Sequence, residues 1–126
     1  MTKRRQRGFA LIELLVVVAV IGILAAITLT LYANIQARVR VAKAQADGRA
    51  LATAVSVYSA HVGTLPTTLT ALTSQVTNGQ NAVAGPFVLD LPAPPSGWSA
   101  YAYTANTATW QFAISTAGDG TTVTLP

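Results

Sequence analysis

The 126-residue chain has no cysteine, so neither a disulfide framework nor a thiol nucleophile is available to it. Its single histidine, His61, has no carboxylate near it in sequence, and no serine lies in a nucleophile-elbow or glycine-rich phosphate motif. The usual catalytic constellations are therefore missing, and an enzyme is not expected; His61 reads as a surface or C-terminal helix-cap residue. Charge is scarce as well. Asp and Glu total four, and from Leu14 to Ala37 no charged side chain occurs. Proline is absent before Pro66, which leaves everything upstream free to form one uninterrupted helix.

What charge there is has a plain arrangement. Lys3, Arg4, Arg5 and Arg7 crowd the head, while Arg38, Arg40, Lys43 and Arg49 balance Glu13, Asp47, Asp90 and Asp119. The whole net charge of +4 thus sits in the first eight residues and reads as a targeting signal, with no nucleic-acid footprint. A basic flank before an apolar run stays on the cytoplasmic side, so the remainder is expected to be exported. About 20 apolar residues suffice to cross a bilayer, and the run here is long enough. An ordinary secretory signal is cut after its apolar region. Ala25-Ala26 is a poor site of that kind, because Ile27, Leu29 and Leu31 continue the pattern. A cut between Gly8 and Phe9 is the better reading, and it leaves the apolar segment as the new N-terminus of a 118-residue product with a single small globular domain.

Glu13 is a lone carboxylate at the lip of this apolar run. Such a group in lipid costs about 2.5–3.5 kcal/mol on insertion scales and calls for a partner. Cutting at Gly8 would create one, an α-ammonium on Phe9 with a reference pKa of about 8. Glu13 of one subunit pairing with the Phe9 ammonium of a neighbour would fix register between copies.

The segment Gly8-Phe9-Ala10-Leu11-Ile12-Glu13, followed by the apolar run from Leu14 to Ile27, resembles a type IV prepilin N-terminus. That resemblance implies cleavage after Gly8 by a prepilin peptidase, N-methylation of Phe9, and assembly into a filament through Phe9 and Glu13. It also implies a long helix packed on a small sheet, an α+β, type IV pilin-like fold. Two departures stand out. Many pilins carry a C-terminal disulfide loop, which this chain lacks the cysteines to make. Family members also carry a proline after the Ala-Ile segment, and unwind between the helix glycine, here Gly22, and that proline on packing into a filament; this chain has Thr30 in its place and lacks that kink. Thr28 and Thr30 can instead bond back to carbonyls and soften the helix.

The residues divide into a cleaved leader (1–8), a transmembrane and assembly helix (9–35) and a periplasmic domain (36–126). The helix is expected from Phe9 to about Val62, about 80 Å at 1.5 Å per residue. Leu51, Val55, Tyr58 and Val62, spaced by four, three and four, form a stripe that can pack on a sheet. Arg38, Arg40, Lys43, Asp47 and Arg49 read either as a solvated face or as subunit contacts. Gly48, at about 1 kcal/mol against alanine, has no account from sequence. Beyond Gly63-Thr64-Leu65-Pro66, a short helix over Leu69–Val76 capped by Thr67 or Thr68, an exposed loop over 77–82 and an extended segment over 85–92 are expected. Three β-prone stretches follow, Ser99–Thr104, Thr109–Ser115 and Thr121–Leu125, with turns at Asn106 and Gly118-Asp119-Gly120, predicting an antiparallel meander. Phe87, Trp98, Tyr101, Tyr103, Trp110 and Phe112 read as core filling in preference to a recognition patch.

Several of these features together, Leu65-Pro66, Gly85-Pro86-Phe87, Leu91-Pro92, Gly97-Trp98, Tyr101, Tyr103 and Ala117-Gly118-Asp119-Gly120, resemble the major pseudopilin of type II secretion systems. In that family an acidic loop after the Gly-Asp-Gly-like turn coordinates calcium. Here only Asp119 and the distant Asp90 offer carboxylates, against the roughly six to eight oxygens calcium takes, so no cofactor is expected and Asp119-Gly120 reads as a plain hairpin turn, with Asp119 the one calcium candidate. The resemblance implies an inner-membrane, single-pass subunit of a periplasmic pseudopilus that drives protein export across the outer membrane. Its partners would be itself, minor pseudopilins, the prepilin peptidase, the inner-membrane assembly platform and membrane lipid. A surface type IV pilus subunit is the related alternative. An uncleaved, membrane-anchored periplasmic binding domain is the alternative of another class.

Overall fold

A computed structural model describes residues 10–126. Helix α1 runs over Leu11–Val62, and five strands follow: β1 (Val76–Thr77), β2 (Val83–Ala84), β3 (Ala102–Asn106), β4 (Gln111–Gly118) and β5 (Thr121–Leu125). The expected fold class, a long N-terminal helix with a small antiparallel sheet, is what forms. The chain divides into two compact units at Gln36/Ala37.

In the first unit every large apolar side chain of α1, from Leu11 to Ile35, is exposed. A helix apolar on all sides has no stable place in water. By length and composition it is long and apolar enough to cross a membrane. No proline breaks it at Thr30, and the two threonines bond back as expected: Thr28 Oγ1 donates to Leu24 O at 2.7 Å and Thr30 Oγ1 to Ile27 O at 2.9 Å.

The second unit is built on the remaining turns of α1. The buried stripe is Ala44, Gly48, Leu51, Ala54 and Val55: of the expected Leu51, Val55, Tyr58 and Val62 the first two are buried and the last two half-buried, and the seam runs two turns further toward the N-terminus. Leu51, Val55, Leu65, Leu69, Leu72 and Ile114 form the main core, with Tyr58, Phe87, Tyr101, Tyr103 and Phe112 packed around it. Each fully buried Leu, Ile or Val contributes about 1.5–3 kcal/mol. A smaller cluster joins Ala44, Trp98 and Val123, flanked by Val41 and Leu125. This second cluster explains Gly48: a Cβ there would overlap the Leu125 side chain, so the helix gives up propensity for close approach to β5.

The meander is antiparallel in the order β3-β4-β5, with Tyr103 opposite Ile114 and Thr116 opposite Val123. Asp119 and Gly120 both take positive φ, 52° and 71°, the two-residue hairpin geometry that Asp-Gly favours. β3 starts three residues later than the sequence suggests. Ser99 nonetheless extends the ladder by other means, its N–H donating to Ala117 O (2.9 Å), its hydroxyl accepting from Ala117 N–H (3.0 Å) and its carbonyl accepting from Thr116 Oγ1 (2.7 Å).

The short helix expected over Leu69–Val76 is only a 3-10 turn, Leu69–Thr73, and Val76 belongs to β1. The carbonyl of Leu72, which an α-helix would give to residue 76, accepts instead from Phe87 N–H (2.8 Å) and Val88 N–H (3.2 Å). The Thr68 hydroxyl meets that of Thr70 and makes no cap. Thr77, expected in a loop, pairs with Val83, which shortens that loop to Asn78–Ala82. Asn78 closes it by accepting from the Gln80 and Ala82 amides at 3.0 and 2.9 Å. The segment after Gly85 bends through residues 87–90 and forms no strand.

Candidate functional site

Two regions carry the polar chemistry of the molecule. The first is the start of α1. Gly8 and Phe9, the expected processing residues, lie outside the described residues. Glu13 stands exposed in the first helical turn, where its amide donates to Ala10 O at 2.9 Å. A carboxylate is favoured at this end of a helix because the unsatisfied amides concentrate positive potential there. Among the described residues no cation pairs with it.

The second region lies where the middle of α1 meets the sheet. Arg40 and Asp119 form a two-pronged ion pair, Nε to Oδ2 at 2.6 Å and Nη2 to Oδ1 at 3.2 Å. Trp98 Nε1 donates to the same Oδ2 at 3.0 Å, so a nearly buried indole is tied to the β4–β5 turn. The Arg40 guanidinium, then the indole, hold the Asp119 carboxyl below its ordinary range; Asp119 in turn raises Arg40. Three residues along α1 from Arg40, Lys43 pairs with Asp47 and donates to Ala93 O at 2.8 Å. The Tyr101 hydroxyl donates to Asp47 Oδ2 at 2.8 Å, and burial followed by this contact pushes its phenol up.

The helix charges therefore divide. Arg40, Lys43 and Asp47 are neither a solvated face nor free subunit contacts: they clasp α1 to the sheet and to the proline-rich segment. Asp119 is correspondingly more than a plain hairpin turn. It also does not fit calcium, since both its oxygens are engaged by N–H donors beside a guanidinium that repels a second cation. Among the described residues no three His, Cys, Asp or Glu side chains gather to complete a coordination shell. Sequence spacing gave no hint of this clasp, because its partners lie 79 residues apart.

His61 is not a simple cap. Its Nε2 lies 3.1 Å from Ala82 O and 3.3 Å from Val76 O, and its ring leans on Phe87, so it ties the end of α1 to the β1–β2 hairpin. Five of the six aromatics fill the core as expected. Trp110 does not: it is 56% exposed, with φ of 56°, at the tip of the β3–β4 turn.

Residues 3–29 match the prokaryotic N-terminal methylation motif, and residues 32–124 match the type II secretion system protein G family. The chain is similar to a fimbrial protein of Pseudomonas aeruginosa, 51% identical over 51 residues that cover 40% of this chain and 33% of the relative. It is similar to the type IV major pilin protein PilA of Myxococcus xanthus, 52% identical over 50 residues, covering 40% of this chain and 23% of that one. It is also similar to the fimbrial protein EcpC of Eikenella corrodens, 44% identical over 66 residues, with 52% and 43% covered. The chain thus spans less than half the length of these curated relatives. No solved structure matches it. The methylation motif, the all-round apolar start of α1 and the clasped helix-on-sheet unit run consecutively along one sequence, and the family match takes in nearly all of the second unit: the chain belongs to the protein G family of type II secretion systems and has its type IV pilin-like α+β fold.

Proposed function

We propose that this protein is a non-catalytic, structural subunit of the periplasmic pseudopilus of a type II secretion system. It is cut between Gly8 and Phe9 by a prepilin peptidase, methylated on Phe9, and held in the inner membrane by residues 9–35 with residues 36–126 in the periplasm. The match of residues 32–124 to protein G carries this reading. Assembly then places Glu13 of one subunit against the Phe9 ammonium of the next, which offsets the burial of both charges in lipid. The assembly platform, minor pseudopilins and lipid are its other partners.

A second reading, a subunit of a surface type IV pilus, is favoured by the similarity to fimbrial proteins and a major pilin. Both readings need the same N-terminal chemistry. The test is assembly of the full chain in cells supplying a peptidase and a secretion platform. Filaments form with the native chain and fail with Glu13→Ala. Filaments that form equally well with Glu13→Ala overturn the pairing. Cargo secretion that depends on this chain separates the pseudopilus from the pilus.

A further inference from the structure

Outside the apolar part of α1, the clasp consumes Arg40, Lys43, Asp47 and Asp119. Arg38, Arg49 and Asp90 remain exposed, with no ion-pair partner among the described residues. Arg38 and Arg49 lie eleven residues apart, close to three helical turns, so they project from one face of α1 about 16 Å apart. Exposed Ala42, Ala46 and Thr53 share that face, and from Arg38 to Thr53 no carboxylate does. It is a cationic strip with room for a neighbour.

Asp90 sits on a corner that is held in place. Phe87 and Val88 both donate to Leu72 O, Phe87 packs edge-on against Tyr58 at 5.4 Å, and Leu91 packs on the core. Between these anchors Leu89 is 90% exposed, more than any other large apolar residue described. An apolar tip beside an unpartnered anion, on a backbone already fixed, loses little freedom on binding.

We propose that the Leu89-Asp90 corner of one copy docks on the Arg38/Arg49 face of α1 in a second copy, with Asp90 paired to Arg49. Charge complementarity selects a second copy of this chain as the occupant, since each copy carries both halves of the contact. The inference rests on the filament reading above. Because Phe87 lies beside Tyr58 and His61, nine and twelve residues beyond Arg49, parallel copies offset by about 14–18 Å along α1 bring Asp90 level with Arg49. Reaching Arg38 takes an offset of about 30–35 Å, twice as far, so Arg49 is the nearer partner.

The test uses the full chain in the assembling cells, with the intact mass of the subunit read alongside filament yield. Asp90→Arg lowers yield about tenfold by setting like charges together, and adding Arg49→Asp restores it. Because the native chain lacks cysteine, Asp90→Cys with Arg49→Cys gives an oxidation ladder of cross-linked subunits in assembled filaments. Correctly processed Asp90→Arg that assembles at the native yield overturns the proposal, as does rescue by Arg38→Asp alone or an unladdered double-cysteine filament. A native chain that is not processed overturns the filament reading, and this contact falls with it. Both residues are exposed, so an unchanged melting temperature accompanies each expected outcome.

Discussion

Arg40 on α1 and Asp119 in the β4–β5 turn, 79 residues apart in sequence, meet through two hydrogen bonds, and the indole of Trp98 shares the carboxylate. The Asp119 carboxyl is held below its ordinary value, so its contribution to folding is fully present above the unfolded-state pKa of about 3.9. It is lost as pH falls through the depressed folded value. Thermal melting of the detergent-solubilised chain therefore declines below pH about 4, and Asp119→Asn flattens that limb while leaving the neutral-pH fold in place. Arg40 is already charged throughout this range and adds no pH dependence of its own.

Where the family resemblance implies calcium, this chain puts a guanidinium. Millimolar calcium and a strong chelator are both expected to leave the melting temperature unchanged. A calcium-dependent rise that vanishes in Asp119→Ala contradicts the clasp as described.

Two glycines sit where neighbouring side chains come close. A Cβ at Gly118 would overlap the ring of the nearly buried Trp98, which cannot move without leaving Asp119. Gly118→Ala is expected to destabilise by about 1–3 kcal/mol, as overpacking does. At Gly48 the obstacle is the tip of Leu125, a half-buried and flexible side chain near the C-terminus. Gly48→Ala gains about 1 kcal/mol of helix propensity against that displacement and is expected to be near neutral. Denaturant midpoints for the two variants check the difference.

Tyr101 titrates in the opposite sense. Burial, then its bond to Asp47, raises the phenol, so its stabilising contribution is intact below about pH 10 and is lost as pH rises through the folded value. Tyr101→Phe is expected to shrink this alkaline limb to the part that Tyr103, also raised by burial, supplies, and to leave Lys43–Asp47 as the remaining tie at that point of α1. A pH series of melting curves on both proteins measures it.

The long helix, its Leu51–Val55 seam and the Asp-Gly hairpin were legible in sequence because each rests on local periodicity or a two-residue turn requirement. Gly48 and the charges of α1 were not, since their reasons lie across the fold, in Leu125, Asp119 and Tyr101. The short helix after Thr68 failed for a similar cause: Leu69, Leu72 and Val76 have helical spacing, but the Leu72 carbonyl is taken by Phe87 and Val88. His61, alone and without a nearby carboxylate in sequence, gave no sign that Val76 O and Ala82 O would converge on it. For the assembly segment the reverse holds. Glu13 stood out from the sequence by its isolation in an apolar run, and a single subunit contains no partner for it among the described residues.

The central claim is that this chain is a processed filament subunit. Intact mass of the membrane-extracted protein, expressed with and without a prepilin peptidase, tests it most directly. A product that begins at N-methylated Phe9 only when the peptidase is present is the expected result. A chain that still begins at Met1 beside an active peptidase contradicts it and favours an uncleaved, membrane-anchored domain.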